Sequence, residues 1–261
     1  MKRTFFSIYT GCVKTAFAYA SAYRMDFVLS LFITLIGNIM FPLVAVLIYH
    51  SGASFPGWNF YEVLLVQSIF TISSGLAHLI FGGLMWKTMD HIREGSFEIV
   101  LLKPMDPLFF IISSEFTPEN IGLIFGGIVL FGMSAANTGI VSVLAVLQFV
   151  ILFAAGFMVM TGILIIMAAT SFKWVGNSRI PEIFDSVSTF GKYPITVFPR
   201  AVRGIITFIV PVSMVGFFPA SALLGRVDPI MILVIVPCFI FMIFGIWLYH
   251  HMIRLYEGVG G

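Results

Sequence analysis

Phe27 to Tyr49 form the stretch FVLSLFITLIGNIMFPLVAVLIY, in which no residue carries a charge. An α-helix needs about 20 apolar residues to cross the ~30 Å hydrocarbon core of a bilayer. The stretch begins only after 26 residues and stays uncharged for 23, which is too long for the core of a cleavable signal peptide. We therefore predict a transmembrane helix that is retained in the protein.

Five further uncharged, apolar runs follow along the chain. The third predicted span is short by itself, and it reaches spanning length if Thr117 caps it and Pro118 occupies its first helical position. The fourth is longer than a bilayer requires and is expected to tilt or to project beyond it. The sequence therefore predicts an all-α membrane protein of six transmembrane helices, the other five being Val63 to Met85, Ile121 to Ala136, Ile140 to Thr170, Gly204 to Leu224 and Pro229 to Tyr249.

The composition argues against a soluble enzyme. Only 10% of the residues are charged and 59% are hydrophobic, whereas a soluble domain carries about 25% charged residues. No connection exceeds about 30 residues, which is too short for an ATPase, kinase or dehydrogenase domain. Phosphate-loop, zinc and nucleophile motifs are absent, and Cys12 and Cys238 form no such pattern. We expect no catalytic site, metal or cofactor on this chain.

Lysine and arginine indicate the orientation, because they are costly to translocate and accumulate on the cytoplasmic side. If the connections that carry them share that side, Arg226 alone lies outside, and Arg203 is a snorkelling anchor at the cytoplasmic edge of the fifth span. We therefore predict that both chain ends lie in the cytoplasm, in the inner (cytoplasmic) cell membrane. The cations placed inside are Lys2, Arg3, Lys14, Arg24, Lys87, Arg93, Lys103, Lys173, Arg179, Lys192, Arg200, Arg203 and Arg254.

Residues 1–26 are predicted to form an amphipathic elbow helix in the membrane interface, ahead of a transmembrane domain of residues 27–261. Helices with this pattern place their apolar face at the acyl boundary. The predicted polar face holds Ser7, Thr10, Lys14 and Ser21, and the apolar face holds Phe5, Ile8, Tyr9, Cys12, Val13, Ala16, Tyr19, Ala20 and Tyr23.

The connection at residues 86–110 mixes charged side chains with an apolar run from Ile99 to Leu102, between Gly95 and Pro104. Glycine and proline at these places predict a short amphipathic helix held against the membrane. We interpret it as a surface for a cytosolic partner. The alternative is a loop that only folds back on the protein's own helices.

At this connection a family resemblance appears. The string Ile92-Arg-Glu-Gly-Ser-Phe-Glu-Ile-Val-Leu-Leu-Lys-Pro-Met-Asp-Pro-Leu-Phe109 resembles the cytoplasmic signature of type-2 (ABC-2-like) permease subunits of ATP-binding-cassette exporters. The later strings Tyr193-Pro-Ile-Thr-Val-Phe-Pro, Ile-Val-Pro211 and Phe-Phe-Pro219-Ala-Ser-Ala-Leu-Leu-Gly225 resemble the fifth-span region of the same family. Both fall at the expected places of a six-span chain.

The resemblance implies partners and a mechanism. Such permeases pair as homodimers or with a sister permease, and a separate ATPase subunit, which holds ATP and magnesium, docks on each half. The block after Gly95 would be the coupling helix, which transmits ATPase closure to spans one, two and five and drives outward transport by alternating access. Its implied interface residues are Arg93, Glu94, Ser96, Glu98 and Lys103, with Leu101 and Leu102 as apolar anchors.

Polar groups inside the hydrocarbon are costly and are therefore functional candidates. Asn38, Gln67 and His78 are candidates for a substrate path, together with Pro211. His78 has a plainer explanation as a hydrogen-bonding partner of a neighbouring helix. Pro211 and Pro219 predict a broken or re-entrant helix near the outer face.

The cargo implied by apolar spans is hydrophobic or amphipathic, although contact with lipid requires the same composition. Two other functions stay open on the sequence alone. One is a secondary transporter or channel that needs no ATPase, which the missing run of intramembrane acidic residues disfavours. The other is a membrane scaffold or assembly protein, for which the charged connection would also be suitable.

Overall fold

The computed structural model describes residues 5–139, 142–174 and 179–256. Lys2 and Arg3 lie outside these residues, as does Ile140, the expected start of the fourth span; the side chains of Phe5 and Ile8 are also outside the description. Within the described part the chain consists of helices joined by turns, without a strand. This agrees with the predicted all-α class.

Twelve α-helices occur in the described residues, and five helical segments among them are long and apolar enough to cross a membrane. These segments are α2, α3 continued by α4, α7 with the turn before it, α8 and α12. The helices are α1 Phe5–Ala22, α2 Arg24–His50, α3 Phe60–Phe81, α4 Leu84–Arg93, α5 Phe97–Leu101, α6 Pro107–Ser114, α7 Ile121–Thr138, α8 Val143–Thr170, α9 Arg179–Thr189, α10 Arg200–Gly204, α11 Phe217–Leu223 and α12 Ile230–Ile253.

Two of the long helices, α3 and α8, begin at side chains that accept hydrogen bonds from their free backbone N–H groups. Asn59 accepts a hydrogen bond from the backbone N–H of Glu62, whose carboxylate accepts one from the N–H of Asn59, so α3 starts in a capping box. Ser142 caps α8 through the N–H of Ala145. Thr117 differs from the prediction: its hydroxyl donates to the carbonyl of His78 on α3 instead of capping the third span. The extension of that span back to Pro118 is nevertheless confirmed.

The expected elbow helix forms as α1 and is interrupted at Tyr23, whose ψ of 53° is not helical. The helix packs against α6 and against the start of α2. Its predicted apolar face is only partly covered, because Ala20 is buried whereas Tyr19 and Tyr23 are 63% and 54% exposed. These two rings pack on each other with their centroids 4.6 Å apart.

Glycines allow α7 to lie closely between α2 and α3. A Cβ at Gly122 would stand 3.2 Å from the backbone oxygen of Leu31 on α2. On the other side, a Cβ at Gly127 would stand 3.0 Å from the backbone nitrogen of Ile72 on α3. Small residues at helix crossings are typical of membrane proteins, and α3 packs in turn against α8.

The fifth apolar run is bent rather than straight. Arg200–Ile209 and Val212–Leu223 meet at 78°, and the break lies at Pro211. The break that the sequence predicted at Pro211 is therefore confirmed, whereas Pro219 lies inside α11 and does not interrupt it. The turn after Pro211 is fully buried, with the carbonyl of Met214 against Gly156 of α8.

We call Arg200–Ile209 and Val212–Leu223 the bent pair. The first and last residues of the bent pair lie at the same end of the bundle. Arg203 and Arg226 line one cavity with Gly57, which follows the carboxyl end of α2. Because α2 has 27 residues and a length of about 40 Å, this end is far from Arg24. We call it the cavity end, and we call the opposite end, which carries residues 86–110, the loop end.

The predicted distribution of cations is therefore wrong for Arg200 and Arg203. Both line the cavity together with Arg226 and lie at the cavity end, not at the end with Arg93 and Lys173. The physical reason is that the apolar run enters the bundle and returns, so it does not connect the two ends. The segment containing α9 makes that connection, from the end of α8 to Ile195 in the wall of the cavity.

Candidate functional site

The segment at residues 86–110 folds as three short helices at the loop end. Gly95, with φ of 67°, turns the chain between α4 and α5 in a conformation that other residues rarely adopt. Asp106 caps α6 by accepting a hydrogen bond from the N–H of Phe109, and Pro107 occupies the first helical position. The short helix expected between Gly95 and Pro104 is present as α5.

Phe97 holds α5 to the rest of the protein. Its side chain is fully buried, and its ring packs edge to face on Phe172, at 5.0 Å, and on Tyr256, at 5.2 Å. Phe172 follows α8 and also contacts Tyr249 of α12 at 5.4 Å. We call these four residues, Phe97, Phe172, Tyr249 and Tyr256, the aromatic anchor.

Polar contacts surround the aromatic anchor. The hydroxyl groups of Thr88 and Tyr249, both on buried side chains, lie 3.3 Å apart. His250 Nε2 lies 2.6 Å from Asp106 Oδ2, which joins α12 to α6. These contacts fasten the segment at residues 86–110 to the carboxyl ends of α8 and α12, which are the fourth and sixth predicted spans. The resemblance implied an action on spans one, two and five, and of these the second is continued directly by α4.

The opposite side of this segment is exposed and mixes charged with apolar side chains. Leu102 is 84% exposed and Leu101 43%. Ile99, at 58%, belongs to the same surface, although we did not predict it from the sequence. Ser96 is only half-exposed, with its hydroxyl 2.7 Å from His91 Nδ1. We define the coupling face as Arg93, Glu94, Glu98, Ile99, Leu101, Leu102 and Lys103, all of them exposed.

A cavity of about 690 Å³ lies at the cavity end, between the bent pair and the connection from α2 to α3. Three arginines contribute to its lining, and Asp228 is the acidic residue among the lining side chains. Its apolar wall includes Trp58, Ile195, Phe208, Phe217, Phe218, Ile230 and Met231.

The three arginines differ in their partners. Arg226 forms an ion pair with Glu62, donates to the carbonyl of Gly57 and lies 5.0 Å from the ring of Trp58. Arg203 donates from Nη2 to the carbonyls of Thr196 and Phe198, and its Nε is buried without a hydrogen-bond partner among the described residues. Arg200 is exposed and contacts no acidic side chain in the described chain.

The comparison with known families decides the class of this protein. A family model described as ABC-2 family transporter protein matches residues 32–260. The chain belongs to the ABC-2 transporter family. The match includes both the coupling face and the cavity and begins inside α2, after α1. Searches among curated proteins and among solved structures find no match.

Family membership confirms the resemblance seen in the sequence. The protein is a multi-pass ABC-2 permease, and an ABC transporter of this kind works together with an ATP-binding-cassette ATPase subunit. Membership in the ABC-2 family defines the type of transporter, whereas the transported molecule and the direction of transport are separate questions.

In this ABC-2 permease the four residues expected to form a substrate path do not come together. Asn38 donates to the carbonyl of Thr34 in its own helix. Gln67 is buried, and its amide has no hydrogen-bond partner among the described residues. His78 bonds to Ser74 near the loop end of α3, and Pro211 lies in the buried break of the bent pair. None of the four lines the 690 Å³ cavity.

Lys192, which we predicted to lie in a cytoplasmic connection, lies instead against two aromatic rings. Its Nζ lies 3.4 Å from the ring centroid of Phe41 and 5.2 Å from that of Phe70. Both rings belong to the interior of long helices, α2 and α3, so the ammonium group of the ABC-2 chain lies between the two ends of the bundle. The interaction of a cation with aromatic faces offsets part of the cost of that position.

Proposed function

We propose that this protein is the permease subunit of an ATP-binding-cassette exporter, driven by a separate ATPase subunit that docks on the coupling face. ATP and magnesium bind that partner, and the permease itself supplies neither a catalytic site nor a cofactor. A second permease, identical or related, completes the transporter. The complex moves a hydrophobic or amphipathic molecule outward by alternating access.

The observation that carries the proposal is the two-sided construction of α5. One side is locked by Phe97 in the aromatic anchor, and the other exposes Leu102 and Ile99 among charges of both signs. Exposed apolar side chains within a charged rim are typical of protein interaction sites. A surface fixed to α8 and α12 transmits a push from a docked ATPase as a rigid displacement.

The distribution of charges supports a cytoplasmic loop end. Arg24, Lys87, Arg93, Lys103, Lys173 and Arg254 lie there, whereas the arginines of the cavity end lie in and around one cavity. We propose six crossings with both chain ends in the cytoplasm of an inner-membrane protein. The fifth crossing is made by the segment containing α9, and the bent pair is a re-entrant hairpin that opens to the outer side.

The exposed surface of α2 supports an assembly with a further subunit. In the most apolar 18-residue stretch of α2 only 6% of the residues are buried, compared with 67% in the corresponding stretch of Phe60–Arg93. Such an apolar face requires lipid or another apolar helix against it. We assign it to lipid and to the second permease.

Co-purification of the ATPase tests the proposal. The tagged protein is extracted from its own membranes in mild detergent, and the accompanying proteins are identified by mass spectrometry with an ATPase assay. We expect a subunit with a phosphate-binding loop to accompany the wild type, and we expect Arg93→Glu combined with Glu98→Lys to lose it, because both substitutions reverse charges on the coupling face.

A matched variant controls for the change of charge. Lys14→Glu combined with Asp26→Lys reverses one basic and one acidic side chain, both exposed and both outside the coupling face. This variant is expected to keep the ATPase. If the wild type purifies without any nucleotide hydrolysis, or if both double variants behave alike, docking on the coupling face is wrong.

A further inference from the structure

We infer that the cavity at the cavity end binds the anionic head group of an amphipathic molecule. The inference rests on the proposed function, since it names the class of cargo that would pass or pause there. The charge of the lining, the free hydrogen-bonding capacity of the arginines, the apolar wall and the position of the cavity all favour such a ligand.

The charge of the lining selects an anion. Arg200, Arg203 and Arg226 face one acidic lining residue, Asp228. Asp228 is already occupied in part, because its Oδ1 accepts a hydrogen bond from the N–H of Ile230 at 3.0 Å. A cationic ligand would meet uncompensated guanidinium groups, whereas a phosphate or carboxylate would pair with them.

The arginines also retain donors that the protein does not use. Arg200 is exposed, and the Nη2 atom of Arg203 is held by two backbone carbonyls, which leaves the other terminal nitrogen of Arg203 to a ligand. These two contacts fix the guanidinium plane in advance of any ligand. Neither Arg203 nor Arg200 is neutralised by a carboxylate in the described part of the chain, in contrast to Arg226, which pairs with Glu62.

The walls of the cavity accommodate the apolar part of the same ligand. Trp58 and Phe217 pack with their ring centroids 5.3 Å apart, and Phe208 is 42% exposed at the rim. A volume of about 690 Å³ is within the range of small-molecule sites, about 300–1,000 Å³. It suits a head group and the first part of a hydrocarbon tail, and the rest of the tail can lie along the exposed apolar surface of Ile205 and Ile209.

The position of the cavity agrees with release toward the outer side. Arginine is costly to translocate, and yet the lining places three arginines at the end opposite to the coupling face. A wholly hydrophobic cargo would gain nothing from them and would have to desolvate them. An anionic head group would pair with Arg200 and Arg203, which no carboxylate neutralises in the described residues.

Native mass spectrometry of the purified permease tests the inference without an ATPase. In one arm the protein is equilibrated with equal amounts of phosphatidylglycerol and phosphatidylcholine, which tests a membrane lipid as the source. In the other arm the protein, in phosphatidylcholine nanodiscs, is titrated with dodecyl phosphate and separately with dodecyltrimethylammonium, which tests a soluble amphiphile. We expect the anionic member to be retained in at least one arm, and that arm identifies the source.

The variants locate the binding. Arg200→Gln, which removes no contact with an acidic partner, and Arg203→Gln are each expected to weaken anion retention by about tenfold or more, because each removes a charged donor. Arg254→Gln removes the same charge at the loop end and should leave retention unchanged. Since Arg203 also holds two carbonyls, the result for Arg200→Gln decides the matter if Arg203→Gln does not fold.

Equal retention of the anionic, zwitterionic and cationic amphiphiles, or anion retention that Arg200→Gln does not change, would overturn the inference. These results are separable from the proposed function. A permease that retains the anion but never binds an ATPase rejects the proposed function alone, and a permease that binds its ATPase without preferring anions rejects this inference alone.

Discussion

The ring of Phe97 meets the ring of Phe172 edge to face, with the centroids 5.0 Å apart and the planes at 80°. Phe97 lies on the short helix α5, and Phe172 directly follows α8, which packs against α3, α11 and α12. A residue of the coupling segment is thus joined to the central helix of the protein. The proposed coupling role of α5 depends on this contact.

Removing the buried ring should uncouple the segment and destabilise it. We predict that Phe97→Ala lowers the free energy of unfolding by about 3–5 kcal/mol, the usual cost of deleting a buried aromatic side chain, and that it weakens retention of the ATPase. Leu102→Ala, on the exposed side, should weaken retention of the ATPase without changing the melting temperature. Both quantities are measured on purified protein, by thermal unfolding and by co-purification.

A different pattern would contradict this division of roles. If Leu102→Ala lowers the melting temperature as much as Phe97→Ala does, then α5 has no distinction between an anchored side and a docking side.

The hydroxyl pair of Thr88 and Tyr249 should behave as a coupled unit. Both side chains are fully buried, and the two oxygens lie 3.3 Å apart. Tyr249→Phe leaves the Thr88 hydroxyl without this partner and should cost about 1–2 kcal/mol of unfolding free energy. Combining it with Thr88→Val should cost less than the sum of the two single variants. Additive losses in denaturant unfolding would show that the two hydroxyl groups do not interact.

Close packing around the re-entrant turn should make Gly156 intolerant of a side chain. A Cβ at this position would lie 2.5 Å from the carbonyl oxygen of Met214, a backbone atom that moves only with its chain. We predict that Gly156→Ala lowers the unfolding free energy by about 1–3 kcal/mol. Gly132→Ala is the matched control, because Gly132 is also helical and has nothing within 4 Å of its Cβ position. Equal melting temperatures for the two variants would contradict the packing described here.

Much of the fold follows from local sequence. The uncharged runs predicted α2, α8 and α12 as long apolar helices, because spanning length and lack of charge are properties of single segments. Gly95 and Pro104 predicted the limits of α5 for the same reason, since positive φ and a missing N–H act on the nearest turn. Membership in the ABC-2 family was likewise visible in one short string of residues.

The path of the chain after α8 could not be obtained in this way. The run Gly204 to Leu224 has the length and composition of a span, and only its packing on Gly156 and Gly191 reveals that it bends and returns. Arg200 and Arg203 were consequently assigned to the wrong end. The residues predicted for a substrate path were chosen singly by their polarity inside the membrane, whereas the cavity forms where several loops meet and is lined by none of them. Arg226, the one cation predicted to lie outside the cytoplasm, was the sequence signal that could have identified the cavity end.

The fifth crossing is made either by the run Gly204 to Leu224, as the sequence predicted, or by the segment containing α9. The side of the membrane on which Val197 lies distinguishes these two topologies. In a variant without Cys12 and Cys238, single cysteines at Val197, Val227 and Leu102 are treated with a membrane-impermeant maleimide on intact cells. Val197 and Val227 are partly exposed at the cavity end, and Leu102 is exposed at the loop end. We predict labelling of the first two positions from outside and of Leu102 only after the membrane is opened. If Val197, like Leu102, is labelled only after the membrane is opened, then the connection between spans four and five is cytoplasmic and the proposed topology is wrong.

Site-specific photocrosslinking tests whether the ATPase docks on the coupling face. A benzophenone amino acid replaces Leu102 on the coupling face or, as a control, Val227 at the cavity end, and native membranes are irradiated. We predict a covalent adduct from position 102 that contains peptides of an ATP-binding-cassette ATPase, and none from position 227. An ATPase that accompanies the protein without crosslinking to position 102, or that crosslinks to position 227 instead, would contradict it.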